Sequence, residues 1–314
     1  MTQIKKAMIL AAGFGLRARP LTLVKPKALF PVLNRPVISY NLDLLAEIGI
    51  EEVAVNTHHL AAQVEKQLAQ MHNGLRIHTF REEKILGTGG GVKNAASFLG
   101  HDPFILMNGV IFTKINLMDV IREHRLHQPM ATLVLCDRPR FNIVAVDQQG
   151  WIRGFREEWM DPPGGQVWRT LAFTGIHVIE PELFSYIPEG PYDIIHSYQA
   201  LIRAGLEIRA LVIEDLPWWK IETRQDYLKI HEDLLVNRRE GPILTGSAVR
   251  IDPEARIQGW ASLGDGVVLE AGAVVQNSVL WKGARVGAGV RIVDSVLAER
   301  VQVESDLIAG AKID

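Results

Sequence analysis

The stretch Leu10–Pro31, LAAGFGLRARPLTLVKPKALFP, decides how the rest of the chain is read. It continues an apolar run, Ala7–Ala12, with the length and composition of a buried strand, then breaks into Gly13-Phe14-Gly15 ahead of Arg17. Glycines after a strand let backbone N–H groups turn towards an anion, and Arg17 and Lys27 add fixed positive charge. An ordinary strand-to-helix turn also contains Gly-x-Gly, so on these residues alone both readings stand.

Outward from this stretch, residues 1–236 alternate short apolar runs with helical patterns. Ala7–Ala12, Glu52–Asn56, Leu75–Thr79, Phe104–Asn108, Ala131–Cys136, Ile143–Val146, Thr174–Ile179 and Ile208–Ile213 read as strands. Val37–Glu47, Ala61–Met71 and Met118–His127 read as amphipathic helices between them. Such alternation predicts an α/β, Rossmann-like doubly wound sheet with helices on both faces. Ligands of such sheets bind beyond the carboxyl ends of the strands. The Gly13–Arg17 loop and Asn108-Gly109-Val110 are both expected at such ends.

The character changes at Asn237-Arg238-Arg239-Glu240-Gly241-Pro242, which places a linker over 237–245 between a domain of residues 1–236 and one of residues 246–314. In the second, Ile251, Ile257, Leu263, Leu269, Val275 and Trp281 recur every six residues; the register slips by one after Trp281 and resumes with Val286 and Ile292. An aliphatic at a fixed place in each hexad predicts a small left-handed parallel β-helix of about four coils. Its end coils would leave open edges that another copy or a partner subunit could cover.

The composition, 47% hydrophobic and 22% charged over 314 residues, is that of a globular chain. A net charge of −2 argues against a general nucleic-acid or anionic-membrane binder. The single cysteine, Cys136, excludes a disulfide framework or a zinc cluster, and its apolar surroundings suggest a buried, inert thiol. Lys5 and Lys6 precede a strand-length run rather than a secretory signal, and no segment approaches the ~18 apolar residues of a membrane span. A cytoplasmic protein is expected.

Gly13-x-Gly15-x-Arg17-x-x-Pro20-Leu21-Thr22 followed by Lys25-Pro26-Lys27 resembles the signature of the sugar-1-phosphate nucleotidyltransferases, in particular the mannose-1-phosphate guanylyltransferase-like members. Spacing looks closest to the bacterial guanylyl- and uridylyltransferase branches. The resemblance implies an NTP and a sugar 1-phosphate as partners, and attack by the sugar-phosphate oxygen on the α-phosphorus with loss of pyrophosphate. That reaction needs alignment and charge neutralisation more than covalent help. Arg17 would bind the leaving phosphates and Lys27 the α-phosphate, with Leu10, Ala11, Gly13, Gly15 and Asn108 around the nucleotide. Leu86-Gly87-Thr88-Gly89-Gly90-Gly91 resembles the loop that holds base and ribose, and also reads as a turn into a helix at Val92–Phe98. Phe173-Thr174-Gly175-Ile176, through Gly175, and Glu157 fall where relatives meet the sugar; a buried strand and a solvated charge account for them equally well.

Relatives hold Mg²⁺ with two aspartates, and neither is present. Asn108-Gly109-Val110 has valine where Asn-Gly-Asp is expected, and Trp218-Trp219-Lys220-Ile221-Glu222-Thr223 has Lys220 in place of the second aspartate and Glu222 in place of a glycine. Glu158 stands where some relatives carry a lysine for the sugar phosphate. Two carboxylates with Mg²⁺ sum formally to about zero, valine with lysine to about +1. Lys220 is therefore expected to stand in for the metal, Mg²⁺ being required only if catalysis persists; Glu222 or another carboxylate could supply a displaced site. Acyl transfer on the β-helix, known in bifunctional relatives, would need a histidine base, and the last histidine is His231, before the coils. His58-His59 reads as loop, and Trp151, Trp159 and Trp168 around Pro162–Gly165 as a lid over a sugar or as anchors of a long loop.

Overall fold

Ten strands form one mixed sheet in a computed structural model that describes residues 4–71, 74–155, 158–159 and 168–314. They are Lys6–Leu10 (β1), Glu52–Thr57 (β2), Arg76–Arg81 (β3), Phe104–Asn108 (β4), Ala131–Cys136 (β5), Asn142–Val146 (β6), Ile152–Phe155 (β7), Glu158–Trp159 (β8), Arg169–Ile179 (β9) and Ile208–Val212 (β10). The order β8-β7-β6-β9-β4-β1-β2-β3 is completed by β5, which pairs with β9 and β10. β1 runs parallel to β2 and to β4, with Leu10 opposite both Asn56 and Asn108. Three strand ends thus open at one edge, as βαβ connections require. β9 is antiparallel to β4, β5 and β6, and its register with β5 shifts between Phe173 and His177, around Gly175.

Val37–Glu47 (α1), Ala61–Leu68 (α2), Gly87–Asn94 (α3), Ala96–Leu99 (α4), Leu117–His127 (α5) and Ile194–Arg203 (α6) accompany the sheet. α1 buries Ile38, Leu42 and Leu45, spaced one and two turns apart, so that one stripe faces the core. α5 begins at Asn116, whose side chain accepts a hydrogen bond from the Met118 N–H, the usual remedy for orphan donors at a helix start. The expected helix over Val92–Phe98 is corrected: helix begins at Gly87, inside the glycine run, and the segment divides into α3 and α4. Cys136 is fully buried in β5, and burial pushes its thiol up.

By compactness the chain divides into Met1–Gly13 with Ile38–Trp218, which carries the sheet, and Phe14–Val37 with Trp219–Asp314. The second unit contains α7 (Arg224–Leu235) and a parallel β-helix. On its three faces Leu263, Leu280 and Leu297 stack, as do Leu269, Val286 and Val303, and Val275 with Ile292. All eight are buried, which makes the interior column that the hexad pattern anticipates. Successive coils shorten: Ile257 pairs with Val275, eighteen residues on. Val275 pairs with Ile292 after seventeen, and Ile292 with Leu307 after fifteen.

The register slip lies one face earlier than the periodicity suggests. It falls where Gly259-Trp260 face Asn277, between the pairs Gln258–Gln276 and Ala261–Ser278. Leu280, not Trp281, therefore takes the column position below Leu263. Trp281 moves to the corner and buries against the signature segment, its ring centroid 5.2 Å from Phe30 and its Nε1–H donating to the Tyr227 hydroxyl at 2.9 Å. Phe30 also meets Tyr227 edge-on, and Tyr227 donates to the Pro31 carbonyl. Lys25 lies over the Trp281 ring and pairs with Glu299 of the coils. Residues 14–37 thus rest directly on the β-helix.

Candidate functional site

In the sheet-bearing unit the expected ligand groups are tied together by hydrogen bonds. The Ala11 N–H donates to Asn56 Oδ1 at 2.7 Å, Asn56 Nδ2 donates to Glu82 Oε1 at 2.7 Å, and Glu82 Oε2 accepts from the Leu86 N–H at 2.8 Å. Asn56 and Glu82 are both buried, and this chain runs from the end of β1 to the start of α3. Neither was singled out from sequence; an asparagine closing an apolar strand at a carboxyl edge is the available signal for Asn56. Gly89 and Gly90 donate backbone N–H bonds to the Tyr192 carbonyl, and the Thr88 hydroxyl donates to Asp193 while accepting from the Ile194 N–H. Thr88, expected to meet a ribose, thus also helps to start α6. Gly87 stands at the first position of α3 with a positive φ of 73°.

Asn108 closes β4 beside Leu10, and the Gly109 N–H donates to the Leu10 carbonyl at 2.9 Å. Asn108 also packs on Gly175, whose φ is +81°; a Cβ there would stand 2.1 Å from Asn108 Nδ2. Only glycine fits this bulge. Val110 follows in a turn before the strand Ile111–Thr113 and is half-buried. His58 bonds the Glu82 carbonyl in the loop before α2. Trp151 lies under the Arg209 guanidinium and edge-on to His127, an anchored position on the sheet unit. Glu157 and the Pro162–Gly165 turn, together with the Trp159 side chain, lie outside the described residues.

The second unit holds the charges. Residues 16–29 form three short 3-10 turns, and Gly15 enters them in the left-handed region at φ 64°. A Cβ on Gly15 would meet Thr22 Cγ2 at 2.8 Å and Lys27 Cε at 2.9 Å, so the lysine stem lies across the glycine. Lys27 Nζ donates to the Ile221 carbonyl at 2.9 Å. Burial, then the charges of Arg17 and Lys220, lower its pKa from 10.5 to about 8, against the pull of Glu222 and Asp226.

Glu222 is the centre of this group. Arg17 Nη1 donates to its Oε2 at 2.7 Å and Nη2 to its Oε1 at 3.1 Å, a paired fork. Lys220 Nζ lies 2.7 Å from Oε1. The Glu222 side chain is 7% exposed against 67% for Arg17, so a nearly buried carboxylate holds a solvent-facing guanidinium. Burial would raise the carboxyl pKa; the hydrogen bond and charge of Lys220, with Arg17 and Lys27, outweigh it and keep the group below the usual carboxylate range. Its backbone is fixed by the start of α7, where Thr223 and Asp226 form a capping box and Asp226 also accepts from the Glu222 N–H. A carboxylate just ahead of a helix is further favoured by the helix dipole. The sequence reading placed Glu222 at a family glycine position without seeing this role.

These donors do not suit a divalent ion. Among the described residues no three His, Cys, Asp or Glu side chains converge to hold one. Glu222 is committed to two cations and Asp226 to the cap. His231 is likewise structural: Nδ1 bonds the Tyr227 carbonyl, Nε2 accepts from the Leu33 N–H, and burial lowers its pKa to about 4. Among the described residues no helix is long and apolar enough to cross a membrane.

Comparison with known proteins agrees with this architecture. The family model described as nucleotidyl transferase matches residues 6–237. A UTP–glucose-1-phosphate uridylyltransferase of Synechocystis is 30% identical, the match covering 98% of this chain and 90% of that protein. A mannose-1-phosphate guanylyltransferase of Mycobacterium tuberculosis is 29% identical over 96% of this chain and 82% of that one. Among solved structures, a UDP-glucose pyrophosphorylase from Acinetobacter shares the fold with a TM-score of 0.65 at 21% identity, covering 76% of this chain and 95% of that one. With the strand-end glycines, the lysine across Gly15 and these matches together, the chain belongs to the nucleotidyl transferase family.

Proposed function

We propose that this protein is a sugar-1-phosphate nucleotidyltransferase-type protein that binds an NTP or nucleotide-sugar in the cytoplasm without Mg²⁺, and that its turnover is slow or lost. The curated relatives act on glucose 1-phosphate or mannose 1-phosphate, which makes a hexose phosphate the favoured sugar class. Leu10, Ala11, Gly13, Gly15, Gly87, Thr88 and Asn108 would serve the nucleotide, Arg17 and Lys27 the phosphates, and Gly175 with Glu157 the sugar.

One observation carries the loss of metal chemistry: Lys220 places an ammonium against Glu222, and valine occupies position 110. An ammonium repels a divalent cation and can itself neutralise phosphate charge, whereas valine offers no oxygen ligand. Titration of UDP-glucose or GDP-mannose with and without Mg²⁺ tests binding, and a pyrophosphate-release assay over NTPs and hexose phosphates tests turnover. Binding is expected to be indifferent to Mg²⁺ and release slow. Strictly Mg²⁺-dependent binding, or release at rates of about 1 s⁻¹ or more, would support the alternative of an active enzyme with a displaced metal site. A silent chain that binds nucleotide-sugar would fit a regulatory subunit of an active homologue.

A further inference from the structure

We infer that Glu222 is a built-in counter-anion: it occupies the Arg17 and Lys220 donors that a phosphate would take, so that a polyphosphate enters this cationic cluster by exchange with it. The inference rests on the reading of the cluster as a phosphate site given above, and adds that the site is internally competed. Both terminal nitrogens of Arg17 point at one carboxylate, at 2.7 and 3.1 Å, and the fork that would grip a phosphate is already used. Lys220 makes its 2.7 Å contact with the same carboxylate.

The asymmetry of exposure gives the exchange a direction. Glu222 is nearly buried and anchored through its own N–H to Asp226, so it stays in place; Arg17 is two-thirds exposed and its long stem can swing. Asp226 is held at the start of its own helix, where Oδ2 accepts from the Glu222 N–H, the Thr223 N–H and the Thr223 hydroxyl. Arg17, Lys27 and Lys220 against Glu222 and Asp226 leave a formal excess of one positive charge, which becomes two where Glu222 is displaced from its partners. An entering anion must outbid the Glu222 carboxylate for Arg17 and Lys220 while facing three cations, which favours a polyphosphate over a monoanion. Removing the carboxylate charge should relieve both the competition for Arg17 and the repulsion of the incoming ligand.

Inorganic pyrophosphate, titrated calorimetrically without divalent ions into the full chain, is the probe. Glu222→Gln keeps the shape and loses the charge; its affinity should rise about tenfold over wild type, the size of one charge-assisted contact regained. Glu222→Asp keeps the charge but shortens the reach to Arg17, and should give a smaller, severalfold gain; it serves as the second readout should the glutamine variant fold poorly. Arg17→Gln should cost more affinity in the Glu222→Gln background than in wild type, because only there is the guanidinium uncommitted. Unchanged or weaker pyrophosphate binding in both Glu222 variants would overturn the inference. Its failure is distinct from failure of the proposed function, which is read from the wild-type nucleotide-sugar titration rather than from the ratio of variant to wild type.

Discussion

The two neighbourhoods that carry the expected ligand contacts are held by opposite means. At the sheet edge, Ala11, Asn56, Glu82 and Leu86 form a buried hydrogen-bond chain, and the glycines of α3 donate to the Tyr192 carbonyl. Such contacts are short-range and directional, and breaking one leaves a buried polar group unsatisfied. In the second unit, Arg17, Lys220 and Glu222 are held by charge, with one partner exposed to solvent. Ion pairs of that kind are modest in net energy and can be traded for another anion. The first neighbourhood is built to keep a shape, the second to change partners.

The sharpest way to break the comparison is to remove what supports the exchangeable region. Trp281 is fully buried between Phe30 and Tyr227, with its indole N–H on the Tyr227 hydroxyl. Trp281→Ala should destabilise the protein by about 4 kcal/mol, the range of large-to-small changes in a packed core. Urea unfolding measures this, and a loss below about 1 kcal/mol would mean that the signature segment does not depend on the coils. At the rigid edge, Gly175→Ala should cost about 3 kcal/mol, since the methyl meets Asn108 at a backbone angle alanine resists. A crystal structure or amide-exchange measurement should find the disturbance centred on Asn108.

Much of the first region was legible because its pattern is local. The strands Phe104–Asn108 and Ala131–Cys136 and the helix Val37–Glu47 emerge with the bounds that apolar periodicity gave them. The start of α3 was not legible: glycine is a poor helix former, and what overrides its propensity is a carbonyl a hundred residues away, that of Tyr192. The coil register failed for a related reason. Trp281 satisfies a six-residue period as well as Leu280 does, and only the pairing across Asn277 distinguishes them. Glu222 is separated from Arg17 by 205 residues, so the substitution was visible in sequence but not the pair it makes. The motif residues themselves, Gly15, Arg17, Lys27 and Lys220, were legible as types; which atoms they engage was a matter of tertiary structure.

The smallest expected effect separates charge from shape most finely, and concerns Lys27. Its ammonium faces Arg17 and Lys220, which with burial depress the pKa, and Glu222 and Asp226, which raise it, leaving a value of about 8 against 10.5 for an ordinary lysine. Between these values the unfolded chain holds the proton that the folded one has released, so unfolding free energy rises with pH through that window. Below about pH 8 both states are protonated and the burial penalty is present in full, without pH dependence from this group. The contribution of Lys27 to anion binding runs the other way: the ratio of wild-type to Lys27→Met pyrophosphate affinity, in which the ligand's own ionisation cancels, should be flat below about pH 8 and fall above it as the ammonium neutralises. Lys27→Met should bind more weakly at neutral pH and lose the Lys27 contribution to both trends, which isolates this group from the other titrations of the chain and of the ligand. Thermal melts and calorimetric titrations across the same pH series measure the two slopes together. If that affinity ratio did not fall above about pH 8, Lys27 would not be the group at the phosphate, and the exchangeable character of this region would rest on Arg17 and Lys220 alone.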